Sequence, residues 1–426
     1  MPPELISILV LVAAFVIATT LSVNMGLLAF AAAFLVGALA GGMSEDDIFA
    51  GFPGDLFVVL VGVTFLFAIA RANGTTDWLV RQAVRLVGGR IALIPWVMFG
   101  IGAVLTAIGA VSPAAVAIVA PIALNLAAQY RINPLLMGAM VVHGTQAGSF
   151  SPISIYGTIV NGVVDRSGLP GDPVVLFLGS LVVNAVIAAV VFVVFGGLRL
   201  RRAAEAKQLV TVGAGSGGSG EEPAEELGLN RDRVLTLAGL VVLVVTTLGF
   251  GLDVGLVAMT VAVVLSVLSP KMCKQAPSEV AWPTVLLICG VLTYVGVLEK
   301  MGTIDYVGNS VAGIGVPLLA ALLLCYIGAI VSAFASSVGL MGALIPLAVP
   351  FLQEGSIGAV GMITALAVAA TVVDVSPFST NGAIVLANAK GVDRDAFFRQ
   401  LLLYGAIIVA AVPAALWLVF VLPGLL

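Results

Sequence analysis

The stretch Gly62 to Trp78 (GVTFLFAIARANGTTDW) returns without a gap as Gly290 to Tyr306 (GVLTYVGVLEKMGTIDY), an offset of 228 that lays Gly74 on Gly302, Thr75 on Thr303 and Asp77 on Asp305. Upstream, Asn24-x-Gly26-Leu27 pairs with Asp253-x-Gly255-Leu256. Downstream, at an offset of 225, Pro121 pairs with Pro346, and Ser151-Pro-Ile-Ser154 with Ser376-Pro-Phe-Ser379. Pro, Gly and Asp recurring in register inside apolar stretches are not what an Ala/Val/Leu-rich composition produces by itself. A chain duplicated in this way has to fold twice on one plan. The first repeat is expected at 1–198 and the second at 232–426. Between them lies 199–231, whose GAGSGGSGEEPAEE core reads as a flexible, solvated linker.

The medium follows from composition. With 61% hydrophobic and 9% charged residues over 426 positions, and a mean hydropathy of +1.20, the chain cannot bury its apolar surface against itself in water. Lipid has to be the solvent. A formal net charge of -4 and the absence of a run of like charges exclude a nucleic-acid partner. Cys273, Cys289 and Cys325 are scattered, with neither a disulfide framework nor a zinc spacing. The opening MPPELISILV has no basic n-region and reads as a retained helix rather than a signal peptide.

Each half offers five crossings: 5–22, 25–42, 52–72, a broken one at 133–165 and 172–197; then 232–250, 253–269, 282–300, a broken one at 358–389 and 397–423. An odd number makes the second half enter from the opposite face, so the expected class is an all-α polytopic membrane protein built as an inverted repeat. The distribution of Lys and Arg tests this count independently. With the linker in the cytoplasm, sixteen of the eighteen basic residues fall inside and only Arg166 and Lys300 fall outside. Both termini are then external, and no Arg or Lys is expected to reach the interior.

Four interruptions carry the chemistry. Residues 91–129 are apolar for nearly forty positions, yet Gly109-Ala-Val-Ser-Pro113 sits at their centre; the counterpart, 316–353, centres on Phe334-Ala-Ser-Ser-Val338. Charge parity admits a re-entrant hairpin or a double crossing for each. After each hairpin comes a span broken by Pro and small polar residues, Gly144-Thr-Gln-Ala-Gly-Ser-Phe-Ser-Pro-Ile-Ser154 and Ala370-Thr-Val-Val-Asp-Val-Ser-Pro-Phe-Ser-Thr-Asn381. Backbone freed from helix at membrane depth is tolerated only in protein or beside an aqueous cavity. Opened helices offer N–H groups to an anion, while carbonyls and hydroxyls suit a hard cation. Candidate substrate contacts are therefore Ser112 and Pro113; Ser151, Pro152 and Ser154; Ser337 and Val338; and Ser376, Pro377, Ser379, Thr380 and Asn381. Asp374 is the only carboxylate expected deep in the membrane, a position that costs about 2.5 to 3.5 kcal/mol and marks a functional group. Its repeat mate is Ser149, so the two half-sites are expected to differ. His143, the single histidine, is equally consistent with packing and with proton transfer. An intramembrane enzyme would need paired acids, HExxH or a serine with a base, and no such set is present. Asp77 and Asp305 read as helix caps.

At these residues the chain resembles the divalent anion/sodium symporters of the ion-transporter superfamily, and within them the malonate/dicarboxylate carrier branch. The resemblance covers nearly the whole chain and implies re-entrant hairpins, a homodimer, elevator movement of a transport domain in the inner membrane, and co-transported sodium with no other cofactor. It implies a small organic dianion as substrate, malonate first, then succinate or malate. It places one sodium around Ser112, Thr145, Gly148 and Ser149, and another around Ser336, Ser337 and Asp374. The family's Ser-Asn-Thr triplet at each hairpin tip is replaced by Val111-Ser112-Pro113 and Ser336-Ser337-Val338. Backbone N–H groups and hydroxyls then have to grip the substrate. A cation/proton antiporter or metalloid exporter of the same superfamily, using Asp374, is the alternative.

Overall fold

Caps and prolines written into the sequence set where the helices start. Asn24 accepts from the N–H groups of Gly26 and Leu27, and Asp253 from that of Leu256, so the repeated Asn/Asp-x-Gly-Leu motif is an N-cap. Pro113, Pro134, Pro173 and Pro283 occupy first turns, where a missing N–H costs nothing. Gly74 and Gly302 both have φ of +73°, the left-handed turn that only glycine adopts freely. That is the physical content of the repeated Gly-Thr.

The computed structural model describes residues 2–21, 23–85, 91–197, 200, 229–304, 306, 317–333, 337–353, 357–389 and 391–424. Most of the expected linker, Asp305 and Ser336 lie outside them. The first half comprises α1 (Pro3–Leu21), α2 (Met25–Leu39), α3 (Glu45–Phe49), α4 (Gly54–Ala72), α5 (Thr75–Arg85), α6 (Ile94–Ala107), α7 (Ser112–Tyr130), α8 (Pro134–Gly148), α9 (Ile155–Arg166) and α10 (Pro173–Val194). The second comprises α11 (Arg231–Phe250), α12 (Val254–Leu268), α13 (Pro270–Cys273), α14 (Trp282–Lys300), α15 (Pro317–Ser332), α16 (Ser337–Gln353), α17 (Ala359–Val372), α18 (Thr380–Asn388) and α19 (Arg394–Leu416). No strand occurs among the described residues. Among the described residues, six helices are long and apolar enough to cross a membrane, and several shorter apolar helices accompany them. The chain is an all-helical, multi-pass membrane protein.

Two helix pairs hold the halves together: α2 packs on α14, and α12 on α4. The internal alignment matches α2 with α12 and α4 with α14, so these are the same contact made twice. Glycine allows it. A methyl group on Gly26 would lie 1.9 Å from the Leu286 carbonyl oxygen, and one on Gly290 2.0 Å from that of Gly26. At the other pair, a methyl on Gly62 would lie 2.6 Å from the Gly255 carbonyl oxygen. Without a hydrophobic drive in lipid, close backbone approach is what binds such helices.

Charges gather at the two ends. Arg71, at the end of α4, pairs with Glu279 at 2.5 Å just before α14. Lys300, ending α14, pairs with Asp47 at 3.0 Å just before α4. Helices α4 and α14 therefore run in opposite directions. Arg166 pairs with Asp55 at the same end as Lys300. Ser44 and Lys300 together hold the Asp47 carboxyl down to about 2, so the carboxylate is ionised at any physiological pH.

Candidate functional site

Helix α6 lies against α8 with Phe99 at Gly144, Gly102 at Thr145 and Ala103 at Gly148. Both sequence numbers rise together, so the two helices are parallel and start at the same end. The Ser151 hydroxyl, in the break after α8, then donates to the Ala107 carbonyl that ends α6, at 2.6 Å. Helix α6 therefore stops level with the break after α8. In the second half, Ser332, the last residue of α15, donates to the Ala370 carbonyl near the end of α17 at 2.5 Å.

The two breaks use one set of bonds. The Ser154 hydroxyl donates to the Ser149 and Ser151 carbonyls and accepts from the Gly157 N–H. The Ser379 hydroxyl donates to the Asp374 and Ser376 carbonyls and accepts from the Gly382 N–H. Gly157 and Gly382 N–H groups also reach the Ser149 and Asp374 carbonyls at 3.2 and 3.1 Å. Ser154 and Ser379 are thus the N-caps of α9 and α18, with their hydroxyls turned to backbone. Ser154→Ala and Ser379→Ala are each expected to cost about 1 kcal/mol of stability, read as a lowered melting temperature in detergent; unchanged melting would remove them from this role.

Where hairpins and breaks meet, one network crosses between the halves. Asp374, 6% exposed, accepts on one carboxylate oxygen from the Ser337 hydroxyl at 2.5 Å and on the other from Gln146 Nε2 at 2.8 Å. Ser332 lies 2.8 Å from the Ser337 hydroxyl. Ser112, at the first tip, donates to Thr145 Oγ1 at 3.0 Å and accepts from Asn381 Nδ2 at 2.9 Å and from Gln146 Nε2 at 3.4 Å. Ser149 donates to the Thr145 carbonyl at 2.5 Å. Two oxygens in this network, Gln146 Oε1 and Asn381 Oδ1, are buried without a hydrogen-bond partner among the described residues.

The network borders a cavity of about 790 Å³. Of the candidates, Pro113, Ser337, Asp374, Thr380 and Asn381 line it. Ser112, Thr145, Ser149, Ser151, Ser154, Ser376 and Ser379 are buried around the breaks without lining it. Pro152 and Pro377 do not line it either, and nothing is described of the Val338 side chain. Gly148 serves close packing: a methyl there would sit 1.9 Å from the Ala103 carbonyl oxygen.

Three residues were not legible as site residues. Gln146 carries no charge to mark its depth, although a lone amide before a helix break carries the same signal. Tyr156 lines the cavity; it stands 225 residues before Asn381, so the repeat could have found it. Arg71 also lines the cavity with Glu279, correcting the expectation that no cation reaches it. It enters at the mouth, where the pair remains exposed.

His143 lies elsewhere. Asn184 spends its amide N–H groups on Ser180, so its oxygen faces His143 Nδ1 at 2.9 Å and takes the ring's proton. The bare Nε2 then accepts from the Tyr404 hydroxyl at 2.7 Å. This is a satisfied packing histidine outside the cavity.

No cluster of three His, Cys, Asp or Glu side chains occurs among the described residues. The donor set is hydroxyl, amide and one carboxylate, oxygen chemistry suited to a hard cation rather than a transition metal.

Residues 1–149 match the family model for the N-terminus of the dicarboxylate carrier protein MatC. No curated protein matches the chain. Among solved structures, the chain is similar to the YdaH transporter of Alcanivorax borkumensis, described as having an unusual topology: 14% identity, a TM-score of 0.60, and 98% of each chain covered. At that identity the likeness establishes the fold. The family match covers the first 149 residues, and the structural likeness carries the fold over nearly the whole chain.

Proposed function

We propose that this transport protein, MatC-like over its first 149 residues, carries small dicarboxylates across the inner membrane together with sodium. Malonate is the first expected substrate, succinate and malate the next. The observation that carries the reading is the pair of orphaned oxygens, Gln146 Oε1 and Asn381 Oδ1, in the network around the Asp374 carboxylate. A buried acceptor left without a donor costs on the order of 1 to 3 kcal/mol, and a cation ligated there would remove that cost for both. It would also supply positive charge beside a dianion in a cavity whose one lining cation among the described residues, Arg71, stands at the mouth. The first turns of α9 and α18 supply N–H donors for carboxylates.

The breaks make an inverted repeat the natural plan, with hairpins, broken helices and α10 and α19 as the moving body and α2, α4, α12 and α14 as the frame of an elevator-type homodimer. With the linker cytoplasmic and both termini outside, the Arg71 end of the cavity opens inward. Uptake of labelled malonate into proteoliposomes is expected to stop when external sodium is replaced by choline. Uptake indifferent to that exchange would sink the sodium reading and favour proton coupling through Asp374.

A further inference from the structure

We propose that Tyr156 is the residue that makes this site select dicarboxylates over monocarboxylates, an inference that rests on the carboxylate-transport reading above. The residue is 3% exposed, yet it lines the cavity. The ring packs against Phe150 with centroids 5.9 Å apart, which fixes its direction. Among the described residues its hydroxyl has no hydrogen-bond partner. A buried phenol almost always finds one, and an occupant of the cavity is placed to supply it. A neutral phenol at physiological pH has a proton to donate, and the ligand it suits is an acceptor.

Its place in the fold says which acceptor. Tyr156 is the second residue of α9, as Asn381 is the second of α18. The main-chain N–H groups of Ile155, Tyr156, Thr380 and Asn381 have no backbone partner, so two helix starts, of 12 and 9 residues, border one cavity. Each suits one carboxylate. Their side-chain donors differ. On the α18 side the Asn381 amide is committed to Ser112 at 2.9 Å, leaving main-chain groups and the Thr380 hydroxyl. On the α9 side, the Tyr156 hydroxyl is the free side-chain donor. A monocarboxylate held at α18 does not need it, whereas the second carboxylate of a dianion does.

The test is equilibrium binding of malonate, succinate and acetate to the full-length protein in detergent with saturating sodium. Tyr156→Phe is expected to weaken malonate and succinate by about tenfold to a hundredfold, the loss of a hydrogen bond to a charged group, while leaving acetate unchanged. Thr380→Ala is expected to weaken all three. Because Phe deletes an unpaired hydroxyl, the ligand-free melting temperature of the variant should equal or exceed that of the wild type. A lower value would mean a structural bond and overturn the assignment. Unchanged dicarboxylate affinity, or equal losses for all three ligands, would also overturn it. A wild-type protein that binds none of the three instead removes the carboxylate reading itself.

Discussion

Asp374→Asn is expected to abolish sodium-dependent binding and uptake, by on the order of a hundredfold or more in affinity, while leaving the protein folded. The magnitude follows from removing one member of a buried charge pair, since a cation at this site has no other anionic side chain described beside it. The fold should survive because an amide fits the same bonds. Its oxygen can accept from Gln146 Nε2, now 2.8 Å from the carboxylate, and its NH2 can donate to Ser337, whose hydroxyl is 2.5 Å away and can turn to accept. Sodium titration of the melting temperature, compared with wild type, is the measurement. A variant still stabilised by sodium at wild-type concentrations would move the cation away from Asp374. If the wild type is indifferent to sodium, loss of pH-driven exchange in the variant would point to Asp374 as a proton carrier.

The largest effect on stability is expected at the glycines that join the halves. A Cβ at Gly26 or Gly290 would stand 1.9 or 2.0 Å from a backbone carbonyl oxygen, and neither neighbour is the end of a flexible side chain. The helices would have to separate by more than ~1 Å, losing dispersion contacts along the seam. Gly26→Ala and Gly290→Ala should each cost about 3 kcal/mol or more, at the upper end of overpacking. Gly62→Ala, with 2.6 Å to the nearest atom, should cost less. Gly100→Ala is the control: nothing lies within 4 Å of its added methyl, and alanine favours the helix. Equal melting temperatures for Gly26→Ala and Gly100→Ala would refute the packing argument.

Much of the architecture was legible because its causes are local. Asn24 and Asp253 cap, Pro113 and Pro134 start helices, and Gly74 and Gly302 turn the chain, each through its own backbone preferences, and the repeat shows the caps and the turns twice. The polar breaks could be read for the same reason. Which side chains they bring together could not. Ser112 meets Asn381 across 269 positions of sequence and Gln146 meets Asp374 across 228, and nothing in the local pattern encodes such a meeting.

The sequence by itself therefore determined a duplicated, lipid-embedded helical chain with polar interruptions at set places, because hydropathy, capping and proline act within a few residues. Only the tertiary structure decided what those interruptions do. It turned Ser154 and Ser379 inward as caps, left the Gln146 and Asn381 oxygens without donors, set Tyr156 against the cavity and drew Arg71 to its mouth. Those outcomes depend on which helices lie side by side, and that was settled by the close approach that Gly26, Gly290, Gly144 and Gly148 allow.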